Sequence, residues 1–143
     1  MTSPTPCHAT SVVFCGNGLL LTGISGSGKS DLALRIMDAG GSLISDDYTV
    51  LTVTEHQLIA SPPETIKGMM EVRGVGLLKV PTIRSARIDV MVICQTKESI
   101  ERLPPVIHTQ IQGIQLRQLN LYPFESSAVA KLRAFLQNQS THE

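Results

Sequence analysis

Gly23-Ile24-Ser25-Gly26-Ser27-Gly28-Lys29-Ser30 satisfies G-x-x-x-x-G-K-[ST] in full, a spacing suited to holding a chain of phosphates. Glycines let successive backbone N–H groups turn inward around phosphate oxygens, and a helix starting at the end of the loop adds its dipole. Lys29 then neutralises phosphate charge, and the Ser30 hydroxyl can ligate Mg²⁺. Asp46-Asp47 follow as paired carboxylates. One can accept a proton from an attacking hydroxyl while the other orients metal-bound water, or the two are solvated turn aspartates. Glu71 and Arg73 stand two apart, so on a strand they share a face, a carboxylate for Mg²⁺ beside a guanidinium for phosphate. An exposed charged strand edge fits the same pattern. From residue type alone His8 reads more readily as a surface or packed residue than as a catalytic one, and His56, His108 and His142 carry only the ordinary reading.

The elements that must position these groups are legible from pattern. Met1 to Pro6 reads as a flexible end, and Cys7 to Cys15 as a strand around Val12, Val13 and Phe14. Gly16-Asn17-Gly18 tolerates positive φ, so Leu19-Leu20-Leu21 should return antiparallel and run straight into the phosphate loop. From Ser30, the spacing of Leu32, Ala33, Ile36 and Met37 predicts a helix of about two to three turns, stopped by Gly40-Gly41. Leu43-Ile44 is a short buried strand, which in a parallel sheet would leave Asp46-Asp47 at the carboxyl edge beside the loop.

Tyr48 to Val53 alternates as a strand before a polar turn at Glu55-His56-Gln57, and Pro62-Pro63 breaks the segment after Ile59. Met70 to Arg73 alternates into Gly74-Val75-Gly76, and Ile88 to Cys94 is apolar throughout, as a central strand is. Pro104-Pro105 marks a loop, and Ile111 to Leu121 reads as one strand. Ser126 or Ser127 can cap a helix with Val129, Leu132, Phe135 and Leu136 on one face.

Composition narrows the classes of function. The 143 residues, 42% hydrophobic and 17% charged, fit one domain, over residues 7–143. Twelve basic residues balance twelve acidic ones, so no broad cationic field draws nucleic acid or anionic membrane. Aromatic content is 3% with no Trp, too little for an extended stacking platform. Cys7, Cys15 and Cys94 lack C-x-x-C spacing and read as buried reduced thiols, and no apolar run approaches a membrane span, so a cytoplasmic protein is expected. Lys97, Glu98, Glu101 and Arg102 form a solvated mixed-charge patch, and the five Met residues read as core filler.

His8 in an early strand, GISGSGKS, the helix ending in Gly40-Gly41, SLISDD and MEVRGVG occur in an order that resembles the catalytic domain of HPr kinase/phosphorylase, from about His8 to Val80. The resemblance implies an α/β fold of the HPr kinase and phosphoenolpyruvate carboxykinase type, a single domain with a mixed sheet flanked by helices. It implies an ATP- and Mg²⁺-dependent kinase acting on a serine of HPr, the small phosphocarrier of the bacterial sugar phosphotransferase system, and it favours a homo-oligomer. By position it places ATP phosphates on Gly23 to Ser30 and Mg²⁺ near Ser30 and Glu71. Asp47 becomes the general base, His8 and Asp46 support it, and Arg73 lies near the reacting phosphate.

Some residues depart from the family pattern. Ile24 stands where an acidic residue is usual and Asp31 where Glu is. Met1 to Cys7 leaves no room for an amino-terminal domain, and the path from Val80 through Pro81-Thr82-Ile83-Arg84 to Ile88 shortens a loop that in longer members engages HPr and supports dephosphorylation. Compact members of alpha-proteobacteria have this form, which leaves phosphorylase activity open. A small-molecule kinase of the shikimate or nucleotide-monophosphate type is the competing enzymatic reading. Arg84 and Arg87 are the only basic pair it could use as a lid. A non-catalytic ATP-binding regulatory module is the third.

Overall fold

Leu19, Leu20 and Leu21 are all fully buried, because the strand that carries them is covered on both faces. The computed structural model describes residues 4–138. Its strands are β1 (Thr5–Cys7), β2 (Thr10–Phe14), β3 (Asn17–Thr22), β4 (Ser42–Ser45), β5 (Thr49–Thr54), β6 (Gln57–Ser61), β7 (Met69–Val72), β8 (Gly76–Lys79), β9 (Ala86–Arg87), β10 (Val90–Cys94), β11 (Ile107–Ile111) and β12 (Ile114–Leu121). Helix α1 (Lys29–Asp38) follows β3 and α2 (Ala128–Asn138) follows β12.

The central sheet has six strands in the order β11-β12-β10-β3-β2-β4 and is mixed. Strand β10 pairs parallel with both β3 and β12, while the remaining pairs are antiparallel. Alternation then divides the side chains. Leu19 and Leu21 of β3, with Val12, Val90 and Val92, pack under Leu32, Ala33 and Ile36 of α1 and Leu132 and Leu136 of α2. Leu20 faces the other way, into a second core with Ile44, Leu51, Leu58, Ala60 and Leu116. Much of that core comes from a second sheet, antiparallel, in the order β1-β5-β6-β9. The layers are therefore helices, mixed sheet and antiparallel sheet, with β7 and β8 forming a separate hairpin. The mixed sheet flanked by helices agrees with the expectation, whereas helices cover only one face of it.

Several local readings are corrected. Thr5 and Pro6 are not a loose end: β1 pairs with β5, Thr5 opposite Leu51. The stretch from Cys7 to Cys15 is two strands belonging to different sheets, parted at His8-Ala9. The first hairpin turns one residue early, on Cys15 (φ 51°) and Gly16 (φ 76°), with Phe14 opposite Asn17. Cys15 is thus exposed and Cys7 half-buried, leaving only Cys94 as the buried thiol expected. The single strand read over Ile111 to Leu121 is instead the end of a hairpin, β11 turning into β12 through Gln112 (φ 50°) and Gly113 (φ 82°). His142 lies outside the described residues. Among the described residues no helix is long and apolar enough to cross a membrane.

Candidate functional site

Strand β4 pairs antiparallel with β2, which pairs antiparallel with β3, so β3 and β4 run the same way and both end at the same edge of the sheet. The glycine-rich loop leaves β3 at that edge and Asp46-Asp47 leave β4 there, two strands apart. The expected juxtaposition is present, although an antiparallel strand rather than a purely parallel sheet produces it.

In the loop, Gly28 (φ 100°) stands immediately before α1, whose first residue is Lys29. Lys29 is 7% exposed. Its ammonium donates to the carbonyls of Gly23 (2.9 Å) and Ile24 (3.4 Å) and forms no ion pair with a described carboxylate. A buried charge without a counter-ion is costly, so this loop is suited to an anion. Ser27 Oγ is buried with no hydrogen-bond partner among the described residues, a second polar group awaiting one. Ile24, Ser25 and Gly26 form the exposed tip, and Ile24 is 82% exposed.

The acid pair is divided by environment. Asp46 is buried and its Oδ1 accepts from Ser30 Oγ at 2.7 Å and from Thr10 Oγ1 at 3.3 Å. Asp47 is exposed, and its Oδ1 lies 3.0 Å from His8 Nε2. An ionised carboxylate only accepts, so that contact requires Nε2 to carry the proton. The backbone N–H of Asp47 donates to Thr10 Oγ1 (3.1 Å), and Tyr48 N–H donates to Asp46 O (2.7 Å). Asp47 sits at φ 69° inside this three-residue turn, the rare and strained form of a γ-turn. Ser45 Oγ donates to Tyr48 O and closes the turn from outside, while the His8 ring leans on Tyr48, centroids 5.1 Å apart. Fully buried Thr10 thereby joins both aspartates. Sequence reasoning missed it, although a threonine two residues after His8 in an apolar strand is a polar intrusion of the kind that marks a site.

Glu71 and Arg73 do not share a strand face as expected. Strand β7 ends at Val72, and Arg73 lies in the turn closed by Val75 N–H to Val72 O (2.9 Å). Met70 and Val72 hold the hairpin to the main core, which turns Glu71 outward. Among the described residues neither Glu71 nor Arg73 makes a side-chain hydrogen bond or ion pair. The structure therefore brings together Ser30, Asp46, Thr10, Asp47 and His8, and among the described residues no hydrogen bond ties Glu71 or Arg73 to them. On the other flank of the loop, Cys94 ends β10. Burial pushes its thiol up to about 11 against the opposing charges of Lys29 and Arg35.

A strand, glycine loop and helix on a mixed sheet, with a divided acid pair at the same edge, define an α/β protein whose site is built for an anionic ligand. The chain belongs to the HPr serine kinase family: the family model described as HPr Serine kinase C-terminal domain matches residues 1–122. It is 42% identical over 79 residues to the HPr kinase/phosphorylase of Clostridium tetani, covering 55% of this chain and 26% of that protein. To the HPr kinase/phosphorylase of Bordetella pertussis it is 34% identical over 129 residues, 82% of this chain and 42% of that protein. The chain thus spans between about a quarter and two fifths of the length of these curated relatives. The structure of the Hpr(Ser) kinase/phosphatase from Coxiella burnetii has the same fold, with a TM-score of 0.84 at 23% identity over 96% of this chain and 97% of that one.

Proposed function

We propose that the chain is a Mg²⁺-ATP-dependent protein kinase that transfers the γ-phosphoryl group to a serine of the phosphocarrier protein HPr. The observation that carries this reading is Lys29, a buried ammonium inside G-x-x-x-x-G-K-S whose partners among the described residues are loop carbonyls alone. Family membership supplies the acceptor, and the acid pair supplies the chemistry.

In this reading Gly23 to Ser30 form the phosphate loop, and Lys29 exchanges its carbonyl partners for phosphate oxygens as ATP enters. The Ser30 hydroxyl bound to Asp46 at 2.7 Å fits a magnesium site, since a hydroxyl and a carboxylate in contact are the oxygen donors that ion takes alongside nucleotide phosphates. Glu71 is proposed to complete the set from its hairpin. Bound there, Mg²⁺ supplies charge neutralisation for the transferred group. Asp47 takes the serine proton as its oxygen attacks in line. His8, donating from Nε2 to Asp47 Oδ1 at 3.0 Å, keeps that carboxylate aimed, while Thr10 fixes both aspartates in one frame. Arg73 is proposed to lie near the reacting phosphate, in keeping with the family resemblance. The protein is proposed to act in the cytoplasm as a homo-oligomer.

The small-molecule kinase reading has little to recommend it, because Arg87 of the candidate lid pair is engaged with Asp89 at 2.8 Å. Calorimetric titration with ATP tests the nucleotide site: Lys29→Ala should weaken binding by about 10- to 100-fold, the loss of charge-assisted hydrogen bonds to phosphate. Unchanged affinity would remove the phosphate-loop assignment.

A further inference from the structure

The segment between β12 and α2, Tyr122 to Glu125, carries an aromatic ring that the phosphate chemistry does not use. Phe124 is 55% exposed, yet it lies against the phosphate loop. A Cβ on Gly28 would come within 2.9 Å of Phe124 Cζ and 3.0 Å of Pro123 Cγ. The segment is fixed by its backbone: Arg35 of α1 donates to the carbonyls of both Pro123 and Glu125. Lys131 Nζ holds Glu125 Oε1 at 2.6 Å from the other side. Tyr122 meets the Phe124 ring edge-on, centroids 6.0 Å apart and planes at 69°, an arrangement that sets the ring's orientation.

Sheet order gives this ring a place relative to the nucleotide. Strands β12, β10 and β3 are mutually parallel, so the Tyr122–Glu125 segment and the phosphate loop emerge at the same edge. The two loops stand two strand spacings apart, about 10 Å. The acid pair lies the same number of strands away on the opposite side of β3. A nucleotide whose phosphates lie in the loop with the terminal group towards Asp46 and Asp47 must extend its other end towards β10 and β12. In open α/β sheets that crevice beyond the strand ends is where ligands lie.

We propose that Phe124 is the stacking surface for the nucleobase, with Tyr122 and Arg35 as the residues that hold it ready. The proposal rests on the reading of Gly23 to Ser30 as an ATP site and deepens it. Stacking on one ring requires no hydrogen-bond readout of the base, so the 3% aromatic content is no obstacle.

Calorimetry with two ligands, Mg²⁺-ATP and Mg²⁺-tripolyphosphate, tests the proposal on the wild-type chain and on Phe124→Ala, Phe124→Leu and Phe124→Tyr. Phe124→Ala should weaken ATP binding by about tenfold, the scale of lost base stacking, and leave tripolyphosphate affinity unchanged. Phe124→Leu, which keeps apolar bulk on Gly28 without a ring, should lose ATP affinity similarly, and Phe124→Tyr should retain it. Equal weakening of both ligands by Phe124→Ala would make the ring a support of the loop and overturn the proposal. So would wild-type affinity for ATP in Phe124→Ala, or wild-type ATP affinity no greater than that for tripolyphosphate. Wild-type chain that binds neither ligand would instead overturn the phosphate-loop reading itself, and the proposal with it.

Discussion

Replacing Asp47 by Asn keeps the side chain's shape and removes its ability to take a proton. The backbone at this position has φ 69°, and Asn has the shape of Asp and shares its readiness to take positive φ, so the turn survives the change. The contact with His8 joins side chains 47% and 58% exposed, and an exposed pair of that kind contributes at most about 1 kcal/mol. For a chain of this size that limits the fall in melting temperature to about 4 °C. Proton acceptance by a positioned group is worth about 10²- to 10⁴-fold in rate. Single-turnover transfer from ATP to HPr should therefore slow by about 10²-fold or more. ATP affinity should hold or tighten slightly, because a negative charge facing the γ-phosphate has been removed. Transfer, ATP titration and a thermal melt on one preparation separate the readings. A wild-type transfer rate would remove Asp47 from the chemistry, and parallel loss of stability and every activity would make its role structural.

The same geometry leads to two further outcomes. Glu71→Gln should raise the Mg²⁺ concentration needed for half-maximal transfer by at least about tenfold while leaving metal-free ATP affinity unaltered; an unmoved Mg²⁺ titration would exclude Glu71 from the metal site. Cys94, whose thiol is raised from 9.0 to about 11 by burial, holds its proton in the folded chain after the unfolded chain has released it. Its contribution is thus complete below about pH 9 and is lost as pH rises towards 11, about 2–3 kcal/mol in all. Urea melts at pH 8 and pH 10.5 should show this fall in the wild type and a shallower one in Cys94→Ala; equal slopes would refute the attribution.

The strand, glycine loop and helix were legible because their signals are local. The same eight residues that form the motif also set the turn, and Leu32, Ala33 and Ile36 mark the buried face at helical spacing. Asp46-Asp47 were found for a similar reason, at the end of a short apolar strand. Pairing between distant segments was not legible. Nothing near Cys7 says that Thr5–Cys7 joins Thr49–Leu51 while Thr10–Phe14 joins a different sheet. The hairpin at Gln112-Gly113 escaped because Gln rarely takes positive φ, and neither Pro nor Asn announces the turn. The contrast in environment between Asp46 and Asp47 depends on Thr10 reaching across from β2, a contact 36 residues away in sequence for Asp46. Alternation reads Arg73 as a strand residue but carries no information about where β7 gives way to its turn.

Intact-mass spectrometry of purified HPr after incubation with the chain and Mg²⁺-ATP tests the central claim most directly. HPr should gain the mass of one phosphoryl group, located on a serine by fragmentation, and the gain should disappear with Lys29→Ala. HPr of unchanged mass in the presence of a folded, ATP-binding chain, with phosphoryl transfer to a small hydroxyl acceptor or to nothing, would contradict the account.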